Sequence, residues 1–191
     1  YEIAQCLVGS EMCIRDRFYA GLCALFMLTS AMCCDDDDSE GIIELTGIKL
    51  NQYNNTGAYP VIIENGQCPK EAYLIRISPI SEYYYSTNIL KSPIIAFRII
   101  TLTDFNEDYP AGSDIYKLFK EYPPMLLNEN FREHYLSSDC LDKGQPITTI
   151  TWGDFYKVLL TYPQPGNYQF RIELETEDGN ILSEETEVIL Y

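Results

Sequence analysis

The chain has 191 residues, with 29 acidic against 13 basic side chains and a formal net charge of −16 at pH 7. Nucleic acids and anionic lipid headgroups are bound through clustered lysine and arginine, and the sequence has no such cluster, so neither is expected as a partner. The length is that of one domain with a real hydrophobic core.

Residues 1–17 (YEIAQCLVGSEMCIRDR) show no periodicity typical of a strand or an amphipathic helix. From Cys6 onward, the run Leu-Val-Gly-Ser-Glu-Met-Cys-Ile-Arg-Asp resembles a translated transposase sequencing adapter, and Tyr1-Glu2-Ile3 resemble the flow-cell end of the same oligonucleotide. This resemblance implies that 1–17 are a non-native, adapter-derived segment that does not belong to the fold. The alternative is a genuine signal-peptide n-region.

Residues 18–32 (FYAGLCALFMLTSAM) carry no charge and are almost wholly apolar. Spanning a bilayer takes about 20 residues, whereas a signal-peptide h-region takes about 7–15. The run ends in two cysteines followed by four aspartates. Four adjacent carboxylates repel one another and hold water, so a core helix is a poor alternative. The pattern favours a leader for export.

This stretch resembles the bacterial lipoprotein signal, which consists of an apolar run, small residues, a cysteine and a polar tether. In that family the cysteine becomes the acylated N-terminus. Met32 stands before Cys33 where that family has Gly, Ala or Ser, so Cys34 is preferred over Cys33 as the lipid anchor. The acidic run also resembles the surface-export signal of Bacteroidetes lipoproteins. These resemblances imply a signal peptide over 18–34, an acidic tether over 35–41 and a surface-exposed outer-membrane lipoprotein. A merely solvated linker is the alternative for the tether.

From residue 42 onward, short β-rich runs alternate with turn residues. Ala72–Ile80 alternates, which places Arg76 on the face opposite its apolar neighbours. Ile94–Leu102 is nearly continuous in apolar residues, the pattern of a central strand buried on both faces. Ser113 and Asp114 predict the start of a short helix that ends at Tyr122, before two prolines. Further strands are predicted over Ile42–Leu50, Pro60–Ile63, Phe131–Leu136 and Ile147–Trp152.

The C-terminal stretch has the most regular pattern. Tyr168–Glu175 alternates between apolar and polar residues, Asp178-Gly179 is a strong hairpin turn, and Leu182–Leu190 forms the returning strand. This stretch resembles the last hairpin of immunoglobulin-like domains, because it has a Pro-Gly-x-Tyr-x-Phe strand, an Asp-Gly turn and a final strand. The resemblance implies that 42–191 form a single antiparallel, immunoglobulin-like β-sandwich, mainly β, with a loop and short-helix insertion and preceded by a signal-peptide helix.

Two cysteines, Cys68 and Cys140, lie in the predicted domain. An exported protein meets an oxidising space, so this pair is a candidate disulfide, and two independent buried thiols are the alternative. The sequence has no CxxC and no histidine-rich spacing, so a zinc site is not expected.

Asp104, Asn106 and Asp108 have the alternate spacing found at the start of calcium-binding loops. The pattern then fails, since Tyr109 stands where a sharp turn needs glycine and Ile115 where a bidentate glutamate is needed. We therefore favour a solvated turn over an irregular calcium site, and no metal is predicted.

Tyrosine is the most suggestive residue type. Tyr83, Tyr84 and Tyr85 follow a predicted strand, and Tyr53 and Tyr59 flank a loop. Exposed aromatic rings stack on sugar faces and anchor protein interfaces. These five residues are therefore the candidate ligand-binding aromatics, and the alternative is that they cover the edges of the core with their hydroxyls in water.

No catalytic residue and no cofactor are predicted, because His134 is the only histidine and no Gly-x-Ser-x-Gly elbow accompanies it. The sequence therefore predicts an exported, lipid-anchored envelope protein with a non-catalytic module that binds glycan or protein. Its partners are a membrane, through the anchor, and that ligand. The alternatives are an envelope hydrolase with an irregular carboxylate site and a structural assembly subunit that donates its last strand.

Overall fold

The computed structural model describes residues 40–123, 135–151 and 153–191. The predicted adapter-derived segment, the leader with Cys33 and Cys34, and the acidic tether up to residue 39 lie outside the described residues. His134, Trp152 and most of the strand predicted over Phe131–Leu136 lie outside them as well. Within the described ranges, no helix is long and apolar enough to cross a membrane.

The described residues form two β-sheets. In the first sheet the order is β1 (Glu40–Ile43), β6 (Thr87–Thr101), β10 (Gly166–Thr176), β11 (Ile181–Leu190) and β4 (Gln67–Cys68), with β8 (Ile147–Ile150) also paired to β6. In the second sheet the order is β3 (Val61–Ile62), β2 (Leu45–Asn54), β5 (Tyr73–Ser81), β9 (Phe155–Leu159) and β7 (Phe119–Glu121). The pairings are antiparallel, except that β1 runs parallel to β6 and β4 parallel to β11.

Aromatic rings from both sheets meet in the core. Phe170 of β10 lies 5.9 Å from Tyr73 of β5 and 6.0 Å from Phe119 of β7, between ring centroids. Phe97 of β6 lies 5.6 Å from Phe155 of β9. All five side chains are buried, and each large apolar side chain removed from water contributes about 1.5–3 kcal/mol to folding. The predicted mainly β fold, a two-sheet sandwich, is confirmed.

Gln52 of β2 links the two sheets. Its amide nitrogen donates to the backbone oxygen of Glu187 in β11 at 2.9 Å and also to the hydroxyl of Thr186. Its amide oxygen accepts a hydrogen bond from the hydroxyl of Tyr73 at 3.2 Å. One side chain thus satisfies a buried phenol and joins β2 to the last strand.

The predicted C-terminal hairpin is confirmed. Residues 166–175 of β10 pair with 181–190 of β11, and the turn between them has Gly179 at φ 85° with its N–H donating to the carbonyl of Thr176. Tyr168, Phe170, Ile172 and Leu174 are all buried, as the alternation predicts. The last strand is therefore paired along its whole length with β10, and on its other edge Ile189 and Leu190 pair with β4.

Two details of the predicted elements are wrong. Residues 94–101 of β6 are not buried on both faces, since Ile95 is 44% exposed while Ile94 and Ile99 are fully buried. The short helix predicted to end at Tyr122 is replaced by one 3₁₀ turn, Tyr116–Leu118, followed by β7. Pairing of β7 with β9 decides this outcome, because a sheet partner 36 residues or more along the chain outweighs a local capping preference.

Candidate functional site

An ion pair lies at the outer face of the second sheet. Arg76 of β5 contacts Asp154, which immediately precedes β9, through Nη2 at 2.6 Å and Nε at 2.7 Å, both to Oδ2. The Asp154 side chain is only 7% exposed, so the carboxylate side of this ion pair is largely shielded from water. Burial opposes the charge of Arg76, but its hydrogen bonds to Tyr53 and Asp154 outweigh burial and raise the pKa of the guanidinium.

This ion pair lies in a cleft of about 290 Å³, which we call the Arg76 cleft. The lining residues are Lys49, Arg76, Ser78, Pro79, Ile80, Tyr84, Gly153 and Asp154. The hydroxyl of Tyr84 accepts a hydrogen bond from the Ser81 N–H at 2.8 Å and donates one to the Pro79 carbonyl at 3.2 Å. These bonds fix an exposed aromatic ring beside a charged pair, an arrangement that suits a ligand with both an apolar face and hydroxyl groups.

A second site surrounds Lys157 of β9, which is 2% exposed. Its Nζ donates to Ser138 Oγ at 2.6 Å and to the Tyr116 hydroxyl at 3.1 Å. It also lies 4.7 Å from the Tyr116 ring centroid and 5.4 Å from that of Phe97. Burial lowers the pKa of Lys157, while the nearby carboxylates of Glu121, Asp142 and Asp139 act in the opposite direction. Burial also raises the pKa of Tyr116 to about 12, so its hydroxyl stays protonated.

Glu121 of β7 holds the segment that begins the helix α1 (Asp139–Asp142). Its Oε1 accepts the Ser138 N–H at 2.9 Å, and its carboxyl is hydrogen-bonded to Asp139. Burial, followed by this bond to Asp139, raises the pKa of Glu121, while the same bond lowers the pKa of the exposed Asp139. The two carboxyl groups are therefore coupled, and Glu121 holds a proton more tightly than Asp139 does.

An adjoining cleft of about 480 Å³, the Lys157 cleft, is lined by Tyr116, Lys117, Phe119, Lys120, Glu121, Asp139, Asp142 and Lys157. A serine, a lysine and a tyrosine in mutual contact can form a nucleophile with its base. Ser138, however, is 0% exposed, so a substrate carbonyl has no path to its Oγ. The three groups satisfy one another inside the fold, and we interpret them as structural.

The five predicted aromatic residues are not brought together. Tyr53 is 2% exposed and its hydroxyl accepts from Arg76 Nη1 at 3.4 Å, so its ring is not presented at the surface. Tyr85 packs against the core. Tyr59 and Tyr83 are more than half exposed but lie outside the Arg76 cleft, and Tyr84 alone of the five lines it.

The residues of the incomplete calcium loop support a turn. Asp104 Oδ1 accepts the Ala111 N–H at 2.8 Å, and Asn106 Oδ1 accepts the N–H groups of Asp108 at 3.0 Å and Tyr109 at 2.9 Å. In the described part of the chain, no three His, Cys, Asp or Glu side chains are grouped so that they could hold a metal ion.

Both cysteines are free thiols in the structure. Cys68 is fully buried at the end of β4, and burial raises its pKa to about 11. Cys140 in α1 is half-buried and packs against the core. Of the two alternatives drawn from the sequence, the structure has the independent thiols.

The sequence interpretation missed both polar sites. Arg76 and Asp154 are far apart in the chain, and nothing local marks either as a partner of the other. Lys157 does carry a local signal, because it stands in Phe-Tyr-Lys-Val-Leu with Phe155 and Leu159, two residues to either side, both buried. In a strand, that period-2 spacing points the lysine inward.

The fold and the two clefts define a mainly β, two-sheet sandwich domain with paired internal charges. The sequence matches a described family, Domain of unknown function (DUF5034), over residues 82–187. That match covers more than half of the chain, and the protein belongs to the DUF5034 family. The matched residues include Tyr84, Asp154 and Lys157 but not Arg76. Comparison with curated proteins found no match, and neither did comparison with solved structures.

Proposed function

We propose that this protein is an exported lipoprotein of the Bacteroidetes type. In this proposal, acylated Cys34, or Cys33 in its place, anchors it in the outer membrane, and the domain is displayed at the cell surface. The support comes from the sequence: an uncharged apolar leader, the cysteine pair and the run Asp35–Asp38. Acyl chains on one cysteine hold a folded domain stably at a bilayer.

Globomycin tests this anchoring, because it inhibits the peptidase that cleaves lipoprotein leaders. Treated cells are expected to accumulate the longer, unprocessed chain in the membrane fraction. A Cys33→Ser/Cys34→Ser double variant should also keep its leader without the drug, but without a lipid group, because serine has no thiol to form the thioether. Identical processing with and without globomycin would contradict the proposal.

We further propose that the domain is a non-catalytic binding module for a glycan, held in the Arg76 cleft. The observation that carries this proposal is the fixed, exposed ring of Tyr84 beside the ion pair of Arg76 and Asp154. Sugar rings present an apolar face that stacks on an aromatic ring, and their hydroxyls pair with charged groups at the base of a cleft.

Affinity gel electrophoresis against a panel of envelope and dietary polysaccharides tests this site. Tyr84→Ala is expected to abolish retardation by the bound polysaccharide, whereas Tyr84→Phe keeps the ring and most of the retardation. Tyr83→Ala is the matched control, since Tyr83 is more exposed than Tyr84 but does not line the Arg76 cleft. Equal retardation of Tyr84→Ala and the wild type would refute this site. Release of shortened sugar would favour an envelope hydrolase, and capture of a protein instead of a glycan would redirect the proposal to a protein ligand.

A further inference from the structure

An exposed apolar surface lies where the described structure begins. It consists of Ile42 in β1, Ile89 in β6 and Tyr83 in the loop before β6, which are 70%, 39% and 63% exposed. Ile42 and Ile89 are register partners in the parallel pair of β1 and β6, so their side chains adjoin. Ile42 and Tyr83 line one groove of about 290 Å³. We call these three side chains the Ile42 surface.

The Ile42 surface is held rigidly in place. The ring of Tyr85 lies directly against Gly41, so closely that a Cβ at that position would overlap the ring, and β1 and the loop are therefore in direct contact. Asn88, which is fully buried, accepts the Tyr85 N–H at 2.7 Å and donates to the Tyr85 carbonyl at 3.1 Å. Large apolar side chains fixed in water at one surface indicate a site of contact with another molecule or a membrane.

Its distance along the chain from the proposed anchor favours a lipid bilayer as that partner. Cys34 precedes Glu40, the first residue of β1, by six residues. An extended chain spans at most about 3.6 Å per residue, so six residues reach about 20 Å. Ile42 itself is eight residues from Cys34, so with the acyl chains of Cys34 in the bilayer its side chain stays within about 29 Å of the lipid.

The composition of the surface suits the interface of a bilayer with uncharged headgroups. Isoleucine side chains enter the acyl boundary, and tyrosine is enriched at the level of the headgroups, where its ring is buried and its hydroxyl stays wet. Beside the groove, Lys91 is paired with Glu44 at 2.7 Å, and Glu82 adds a further carboxylate. Among the described residues that line the groove, no free positive charge is left to attract anionic headgroups.

We propose that Ile42, Tyr83 and Ile89 dock on a lipid surface with zwitterionic or neutral headgroups and set the orientation of the domain on the membrane. This inference rests on the proposed lipid anchor. Strand β3, which pairs with Tyr53 and Asn54 of β2, belongs to the other sheet and supplies the reference positions that this docking leaves uncovered. Nine residues of β2 separate Leu45 from Asn54, which corresponds to about 30 Å of strand.

Spin-label accessibility in the anchored protein tests the docking. The full acylated protein, carrying Cys140→Ser, is reconstituted in phosphatidylcholine vesicles and labelled at Ile42→Cys or Tyr83→Cys. Val61→Cys and Tyr59→Cys are the matched controls, because they are similarly exposed and lie in or beside β3. Labels at 42 and 83 should be severalfold less accessible to a water-soluble nickel relaxant, and more accessible to oxygen, than labels at 61 and 59.

Three other results would reject the docking, and each identifies a different cause. If the protein is retained by the vesicles but all four labels are equally accessible to nickel, the anchor stands and the docking is wrong. If protection at 42 and 83 rises with protein density at fixed lipid, a second copy covers the surface instead. If the purified protein carries no acyl group and does not enter vesicles, the proposed anchor fails and the docking fails with it.

Discussion

Lys157 shows at the scale of one residue how this fold accommodates a charge in its interior. Its Nζ is satisfied by Ser138 and Tyr116, whose oxygens lie 3.3 Å from each other and so can still pair if the amine is removed. Replacing a buried charged residue by an apolar residue of similar volume often changes the free energy of unfolding little. Truncation to alanine leaves a cavity, which lowers stability.

We therefore expect Lys157→Met to change the free energy of unfolding by less than about 1.5 kcal/mol, and Lys157→Ala to lower it by about 2–5 kcal/mol. Urea unfolding followed by tyrosine fluorescence measures both. If Met and Ala are equally destabilising, the amine itself is required for stability and the structural interpretation of the serine, lysine and tyrosine contacts is wrong.

The two thiols should differ in reactivity. Cys68 is fully buried and its pKa is raised to about 11 by burial, whereas Cys140 is half-buried in a short helix. Because the thiolate is the reactive form, iodoacetamide under native conditions should modify Cys140 first and Cys68 only after unfolding. Mass spectrometry of the peptides measures this order. A linked peptide pair in the protein isolated from its native compartment would instead show the disulfide that the sequence left open.

At the scale of elements, Glu121 holds the segment from Ser137 into α1, and its protonation contributes to stability. Its pKa is raised in the folded state, so its contribution to stability is complete below the ordinary glutamate pKa, near 4.5, and is lost as the pH rises through the folded value. The groups that face it are Ser137, Ser138, Tyr135, Asp139 and Lys157. The hydrogen bonds from Ser138 and Tyr135, and then the amine of Lys157, partly oppose the rise in its pKa.

As the pH is raised from 4.5 to neutrality, we expect the urea midpoint of the wild type to decrease relative to that of Glu121→Gln. The glutamine amide donates to Asp139 and does not titrate, so the variant lacks this pH dependence. Parallel unfolding curves across this pH range provide the measurement. The control is Glu71→Gln, which changes an exposed residue outside both clefts. If the difference between the wild type and Glu121→Gln does not vary with pH, the pKa of Glu121 is not raised in the folded state.

The attachment of β1 to the sheet depends on a close approach between Gly41 and Tyr85. A Cβ on Gly41 would overlap the Tyr85 ring, whereas one on Gly47 has its nearest contact at 3.9 Å. Gly41→Ala should therefore lower stability by about 1–3 kcal/mol, and Gly47→Ala should leave it unchanged or slightly raised. Differential scanning calorimetry measures both variants. Tyr85→Ala introduced together with Gly41→Ala should recover part of the loss, and no recovery would mean that the clash is not its cause.

At the scale of the whole molecule, local alternation was sufficient to predict the last hairpin, since Tyr168, Phe170 and Ile172 repeat with the period of a half-buried strand. The sandwich was predicted from the resemblance of that hairpin to immunoglobulin-like domains. The exposure of the Ile95 side chain could not be predicted, because a continuous apolar run does not show which face of the strand the other sheet covers. The Arg76 cleft could not be predicted either. It depends on β5 and β9 pairing across a long stretch of chain, and only that pairing places Asp154 beside Arg76.

The proposed function depends on a lipid tether that leads into a β-sandwich, and the N-terminus of the mature protein tests it most directly. Mass spectrometry of the protein extracted from the membrane fraction should find a chain that starts at Cys34, with a diacylglyceryl thioether and an N-acyl group. A chain that starts at Cys33 with the same groups would change only the anchoring residue. A mature chain whose N-terminal peptide carries no lipid would contradict both the anchor and the docking that rests on it.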